Sequence, residues 1–207
     1  MTILYIDTSS SFLYSAIYKD GKVISSISED YGQNLSEVAL PRIADMINNN
    51  NLSPKDVDKI IVVNGPGSFT GIRIGITIAK VYAWSLNIPI TAINSLEVMS
   101  TSSNKNTIHV PILNARRGFV YTAIYDENQN IIKAPSHIKI DDLLNELKEY
   151  DNYEFISNDD FEDTIETISY KPDFEKIINR FKDNENINPH AVNPEYLKLT
   201  EAEEKAW

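Results

Sequence analysis

The segments F-L-Y-S-A-I-Y, Phe12–Tyr18, and F-V-Y-T-A-I-Y, Phe119–Tyr125, agree at five of seven positions, and the two exceptions, Leu/Val and Ser/Thr, are conservative. Each alternates like a half-buried strand rich in aromatic and β-branched residues. Strands draw on few residue types, so a short match arises by chance; the elements around this pair argue for duplication instead. Upstream of the first copy lie an apolar strand, Ile3–Ile6, and the turn D-T-S-S-S; downstream, Asp20-Gly21 turns the chain into a third strand, Val23–Ile27. A helix is expected over Leu35–Ile47, then a cap at Ser53-Pro54, a buried strand I-I-V-V-N, a glycine loop, a second helix to about Leu86 and a strand over Ile88–Ile93. The second copy follows suit. Val110–Leu113 leads through N-A-R-R-G into Phe119–Tyr125, followed by a turn at Asp126–Asn130, a strand at Ile131-Ile132, a helix over Asp141–Tyr150 and a strand over Tyr153–Ile156. Helices between Asp160 and Lys182 are placed only loosely.

Three meandering strands followed by helix, strand, helix, strand, twice over, resembles the plan of the actin-like ATPase (ASKHA) superfamily. The expected fold is therefore α/β and duplicated, with an N-terminal actin-like lobe at 1–94 and a reduced C-terminal one at 95–207. In that superfamily two such lobes clamp a nucleotide, and the turn after each lobe's first strand approaches the phosphates. Here Asp7 stands at the first turn and Asn114 at the second. An amide is neither a base nor a negative metal ligand, and Ser9 stands where the superfamily tends to place glycine. Asp7, Thr8 and Ser9 are thus candidate nucleotide-binding residues of a weakened site, for ATP or ADP with magnesium at the lobe interface. The competing reading of Asp7 is a turn cap.

The 207 residues suffice for one domain or two small lobes, and 42% hydrophobic content supplies an ordinary core. The absence of cysteine excludes disulfides, thiolate metal sites and cysteine nucleophiles, and makes a reducing cytoplasm the expected location. The apolar run in M-T-I-L-Y-I-D-T is too short for a signal peptide, and no segment approaches membrane-spanning length. Thirty Asp and Glu against nineteen Lys and Arg give a formal charge of −11, which repels phosphate backbones unless basic residues gather on one face. The only adjacent basic pair is Arg116-Arg117. The expectation is that any nucleic acid is held mainly by partners.

Asn64–Gly75, N-G-P-G-S-F-T-G-I-R-I-G, holds four of the seven glycines. The loop lacks a P-loop lysine, misses the G-x-G-x-x-G spacing at Thr70, and Pro66 and Thr70 replace the glycines a nucleophile elbow requires around Ser68. His109, His137 and His190 have no ligand spacing, so no metal site is expected, and no acid-base or nucleophilic constellation marks a catalytic residue. From the loop onward Gly71, Gly75, Ala79 and Ala83 place a small residue every four positions along one helix, a stripe another backbone can approach. Ile72, Ile74, Ile76, Ile78, Val81, Tyr82 and Leu86 make that helix apolar nearly all round, so both sides need cover. Its own sheet covers one side; the other is expected to meet a partner together with the apolar arc of Leu35, Val38, Ala39, Ile43, Met46 and Ile47. The candidate interface comprises that arc without Ile47, the loop residues Gly67, Ser68, Phe69 and Thr70, and Gly71, Ile74, Gly75, Ile78, Ala79 and Tyr82 of the second helix. Closure of both sides within the fold is the alternative.

G-P-G-S-F-T-G-I-R-I-G, with I-D-T-S, I-N-S-L-E, N-A-R-R-G-F-V-Y and the tail P-E-Y-L-K-L-T-E-A-E, is similar to the TsaB (YeaZ) family over essentially the whole chain. The resemblance implies a non-catalytic, dimerising subunit that supports TsaD in threonylcarbamoylation of the adenosine beside the anticodon of tRNA. It implies TsaD and the ATPase TsaE as partners, tRNA through the complex, and a homodimer when alone. Where the catalytic relative carries metal-binding histidines, this chain has Asn94 and Val98, which cannot replace imidazole. Asn34 stands where many relatives have His. A free-standing actin-like ATPase or phosphotransferase, motivated by Asp7 and the two lobes, is the alternative function; a peptidase lacks residues to carry it.

Overall fold

The computed structural model describes residues 1–103, 106–161 and 165–198, which divide into two compact units. The first holds β1 (Thr2–Asp7), β2 (Phe12–Lys19), β3 (Lys22–Asp30), α1 (Leu35–Asn49), β4 (Lys59–Gly65), α2 (Phe69–Leu86) and β5 (Ile90–Asn94). Its sheet runs β3-β2-β1-β4-β5, with β1–β2 and β2–β3 antiparallel and β1–β4 and β4–β5 parallel. Every residue of β1 is buried, which is why its sequence is a nearly continuous apolar run. On one face Leu4, Ile6, Leu13, Ile17, Ile60 and Val62 pack against α1 and α2. The stripe Leu35, Ala39, Ile43, Met46 and Ile47 keeps α1 on this core at helical spacing, and Asn87, at φ 54°, ends α2 in the left-handed conformation asparagine tolerates.

The opposite face meets α5 (Phe174–Phe181), whose Phe174, Ile177, Ile178 and Phe181 are buried. The Tyr5 and Phe174 rings meet edge to face at 5.8 Å, and the Tyr18 hydroxyl donates to Asn179 Oδ1 at 2.7 Å. The following chain is tied to the first unit through its backbone, by backbone and lysine donors. Ile187 bridges Ile90 at the β5 edge, Lys59 Nζ donates to the Lys182 carbonyl at 2.7 Å, Lys80 Nζ to the Val192 carbonyl at 2.9 Å, and Glu195 N to the Asn64 carbonyl at 2.8 Å. The first unit is therefore Met1–Ser95 with Asp173–Glu195, not 1–94 alone. The sequence reading assigned all of 95–207 to the second lobe because chain order carries no sign of a return; the return exists because one sheet face and the β5 edge need cover.

The second unit contains β6 (Ile108–Asn114), β7 (Phe119–Tyr125), β8 (Ile131–Lys139), α4 (Ile140–Glu146), β9 (Tyr153–Ile156) and β10 (Thr167–Ile168); α3 (Ser95–Ser100) spans the boundary between the units. Its sheet order, β10-β9-β6-β7-β8, is the first order read from the other edge, with the same parallel and antiparallel pairings. The likeness extends to single bonds. Ser15 Oγ donates to the Tyr5 carbonyl at 2.6 Å and Thr122 Oγ1 to the Pro111 carbonyl at 3.0 Å, each to the residue before its cross-strand partner. Likewise Asp7 Oδ1 accepts from Ser9 N at 2.8 Å and Asn114 Oδ1 from Arg116 N at 2.9 Å. The conservative swaps between the copies thus preserve one buried hydroxyl bond and one turn. The second unit is reduced: among the described residues no helix comparable to α2 lies between β9 and β10, and α5 is the one helix found over Asp160–Lys182. Residues 162–164 and the tail from 199, which includes part of P-E-Y-L-K-L-T-E-A-E, lie outside the described residues.

Candidate functional site

The glycine loop packs on the turn that follows β1. Ser68 caps α2 by accepting from Gly71 N at 3.2 Å, Ser68 N donates to the Ser9 carbonyl at 2.7 Å, and Thr8 Oγ1 donates to the Gly71 carbonyl at 2.7 Å. A Cβ at Gly67 would stand 2.2 Å from the Ser9 carbonyl oxygen, at Gly71 2.1 Å from that of Thr8, and at Gly75 2.4 Å from Thr8 Oγ1. The small-residue stripe is therefore filled by the chain itself. Gly71, Gly75, Ala79 and Ala83 are buried, as are Leu35, Ala39, Ile43 and Met46 of α1. The expectation that these residues meet a partner is corrected: they form the side of the helices that meets the sheet. The sequence reading recognised that α2 needs cover all round but assigned the stripe to the wrong side, since spacing does not say which face the sheet takes.

Asp7 is 3% exposed. Burial pushes its pKa above the ordinary carboxylate value, against hydrogen bonds from Ser9 and from the Tyr5 hydroxyl at 3.4 Å that pull the other way. With its Oδ1 occupied by Ser9 N, and with Thr8 and Ser9 carbonyls filling the clefts the glycines open, Asp7, Thr8 and Ser9 form a self-capped turn. The Thr8 and Ser9 carbonyl oxygens face Gly71 and Gly67 of the glycine loop.

The solvent side of the same two helices carries exposed apolar residues among polar ones. Leu40 is 54% exposed, Phe69 55%, Val81 60% and Trp84 65%; Leu40 and Phe69 line a groove of about 470 Å³ between α1 and α2 with Ser36, Thr70, Arg73, Ile74, Thr77 and Ile78. The Arg73 guanidinium lies 3.7 Å from the centre of the Phe69 ring. Of the candidate interface residues, Ser68, Phe69 and Thr70 are exposed, and Val38, Gly67, Ile74, Ile78 and Tyr82 partly so. Burial pushes the Tyr82 hydroxyl up to about 12. Leu40, Val81 and Trp84 were missed as surface residues; Leu40 interrupts the polar side of α1, and Val81 and Trp84 lie one turn apart on α2, a signal legible once the stripe is given to the sheet.

Elsewhere the single candidates are structural. His109 is buried in β6, His137 stacks on Phe119 at 4.8 Å, and His190 meets Trp84 edge-on at 6.3 Å. Asn94 Nδ2 donates to Glu195 Oε2 at 2.9 Å, Val98 is buried, and Asn34 is exposed at the start of α1. Among the described residues no three His, Asp or Glu side chains group as metal ligands, and no helix is long and apolar enough to cross a membrane.

Two sheets of one order, each with a capped turn after its first strand, give the chain an actin-like, ASKHA-type fold. The family of TsaD, tRNA N6-adenosine threonylcarbamoyltransferase, matches residues 23–174. The tRNA threonylcarbamoyladenosine biosynthesis protein TsaB of Bacillus subtilis is 35% identical over 223 residues, covering 99% of this chain and 97% of its own. The TsaB of Buchnera aphidicola subsp. Schizaphis graminum is 36% identical over 154 residues, covering 70% and 72%. The structure of YeaZ from Pseudomonas aeruginosa superposes with a TM-score of 0.73 at 18% identity, covering 95% of this chain and 99% of that one. The chain belongs to the TsaB (YeaZ) family.

Proposed function

We propose that this chain takes part in threonylcarbamoyladenosine biosynthesis on tRNA as a non-catalytic subunit that pairs with TsaD, and with a second copy of itself when alone, through the solvent side of α1 and α2. The observation that carries the reading is the groove between α1 and α2 lined by the exposed Leu40 and Phe69 with Ile74 and Ile78, with Val81 and Trp84 exposed further along α2. Exposed apolar residues gathered at a groove mark association sites in water-soluble proteins. The self-capped Asp7 turn supports the absence of phosphoryl transfer by this chain and tells against the free-standing ATPase. In this reading TsaD supplies the chemistry, TsaE joins the assembly, and the site of action is the cytoplasm.

Light scattering of the chain alone and mixed with TsaD tests the proposal. The chain alone is expected near twice its 23.5 kDa, and the mixture at the mass of a heterodimer. Phe69→Asp with Leu40→Asp, both at exposed positions, places charge in the apolar contact and is expected to weaken both pairings and tRNA modification at least tenfold, the loss typical of a central interface residue. A variant that folds, pairs and supports modification like the parent removes α1 and α2 from the interface. Magnesium-dependent ATP turnover by the isolated chain, lost in Asp7→Ala, would replace this reading with the ATPase.

A further inference from the structure

The duplicated turns differ in ways that matter to an anion. The first ends in Asp7 and is pressed against by Gly67, Gly71 and Gly75. The second ends in neutral Asn114, and a Cβ at its Gly118 would meet nothing within 4 Å. It also carries Arg116 and Arg117, both exposed and held at positive φ, 66° and 54°. Left-handed backbone at a non-glycine residue costs on the order of 1–3 kcal/mol, and two adjacent guanidiniums repel one another. Neither guanidinium has an ion-pair or hydrogen-bond partner among the described residues. They lie at a pocket of about 350 Å³ lined also by Asn114, Phe119, Phe161 and Asp160, while the nearby Asp159 carboxylate accepts from Asn114 N at 2.7 Å.

Aromatic rings continue the surface. Phe119 and Tyr121 share one face of β7, and His137 on β8 stacks on Phe119 at 4.8 Å and tilts against Tyr121 at 5.2 Å; all three are partly exposed. Free cationic arms beside partly exposed rings are the two components of nucleic-acid surfaces. Three of the turn's backbone donors are used within it: Ala115 N bonds the Phe119 carbonyl, Phe119 N the Arg116 carbonyl, and Arg116 N the Asn114 side chain. What remains is two long side chains suited to an extended polyanion.

We propose that the Arg116–Arg117 turn, with the Phe119, Tyr121 and His137 rings beside it, contacts the sugar-phosphate backbone of an RNA. This rests on the reading that the chain works in an assembly acting on tRNA, and it gives the chain a direct hold on that substrate. A chain of formal charge −11 can make such a contact only locally, and the contact is strongly salt-dependent.

The test is binding of a fluorescently labelled tRNA transcript to the full-length isolated chain across a salt series. Arg116→Asn with Arg117→Asn removes both charges while keeping a residue type that tolerates positive φ, and a melting curve reports that the fold is intact. The double variant is expected to bind about tenfold more weakly or worse and to flatten the logarithmic salt slope by about 1–2, as for two lost phosphate contacts. Arg116→Lys with Arg117→Lys is expected to restore most of the slope. Unchanged affinity and slope in the Asn variant, no measurable tRNA binding by the parent at low salt, or displacement of tRNA by ADP at equimolar concentration would each overturn the proposal. Pairing with TsaD is measured on the same proteins: parental pairing with an unchanged slope sinks only the RNA contact, and absent pairing by the parent sinks only the proposed function.

Discussion

Gly71 and Gly118 stand in opposite situations, and the contrast is measurable. A methyl group at Gly71 falls 2.1 Å from a backbone oxygen that cannot swing aside, so Gly71→Ala is expected to destabilise the chain by about 1–3 kcal/mol in urea denaturation. At Gly118 there is open space and only the positive φ of 75° to resist, so Gly118→Ala is expected to cost about 1 kcal/mol or less. Equal losses would mean that the stripe does not seat on Thr8. Asp7 makes a prediction of opposite sign. Its folded pKa is raised by burial, so the folded state holds the proton more tightly than the unfolded one, and stability falls as pH rises from the ordinary carboxylate value through the raised one. Asp7→Asn keeps the bond from Ser9 N, as Asn114 keeps the equivalent bond from Arg116 N, and removes the buried charge. The variant is expected to match the parent near pH 4 and to melt higher than the parent near neutrality. A variant that melts lower at every pH would show the carboxylate to be a net stabiliser.

At the scale of elements, the apolar residues on the two sides of α2 have different fates. Ile76, on the sheet side, is 4% exposed, and Ile76→Ala is expected to cost about 2–5 kcal/mol. Trp84, 65% exposed, faces solvent, and Trp84→Ala is expected to change stability of the lone chain by no more than about 0.5 kcal/mol while weakening association. Chemical denaturation at low concentration separates the two effects from dimerisation. Periodicity alone showed that α2 needs cover all round and that α1 carries a stripe of Leu35, Ala39, Ile43 and Met46. It did not show which side of α2 lies on β1 and β4, because a glycine face suits a foreign backbone as well as a native one. Similarly β8 runs over Ile131–Lys139, well beyond the two apolar residues that signalled it, since pairing with β7 rather than its own composition extends it.

The molecule as a whole is not partitioned in chain order. Residues 173–195 belong to the first unit, where Phe174, Ile177, Ile178 and Phe181 are all buried. Burying one such side chain contributes about 1.5–3 kcal/mol, and a domain has only about 5–15 kcal/mol in total. A fragment ending at Ser95 is expected to lack a cooperative melting transition, whereas the same fragment joined by a flexible linker to 173–195 is expected to regain one by circular dichroism. Cooperative melting of 1–95 by itself would show that α5 and the strap after it are accessory.

The sequence by itself determined the duplication, and with it the actin-like class, because two strand motifs in the same order of elements impose the same sheet order whatever surrounds them. It also determined the family, since the glycine loop and the Asn114–Tyr121 segment are specific over many positions. Only the tertiary structure decided that the glycines serve the chain's own β1 turn, that Asp7 is spent within that turn while the Arg116 turn stays open, and that the C-terminal strap returns to the first sheet. Each of these depends on which surfaces separated by many residues come to lie against one another, and spacing along a chain records the need for a neighbour without recording which neighbour meets it.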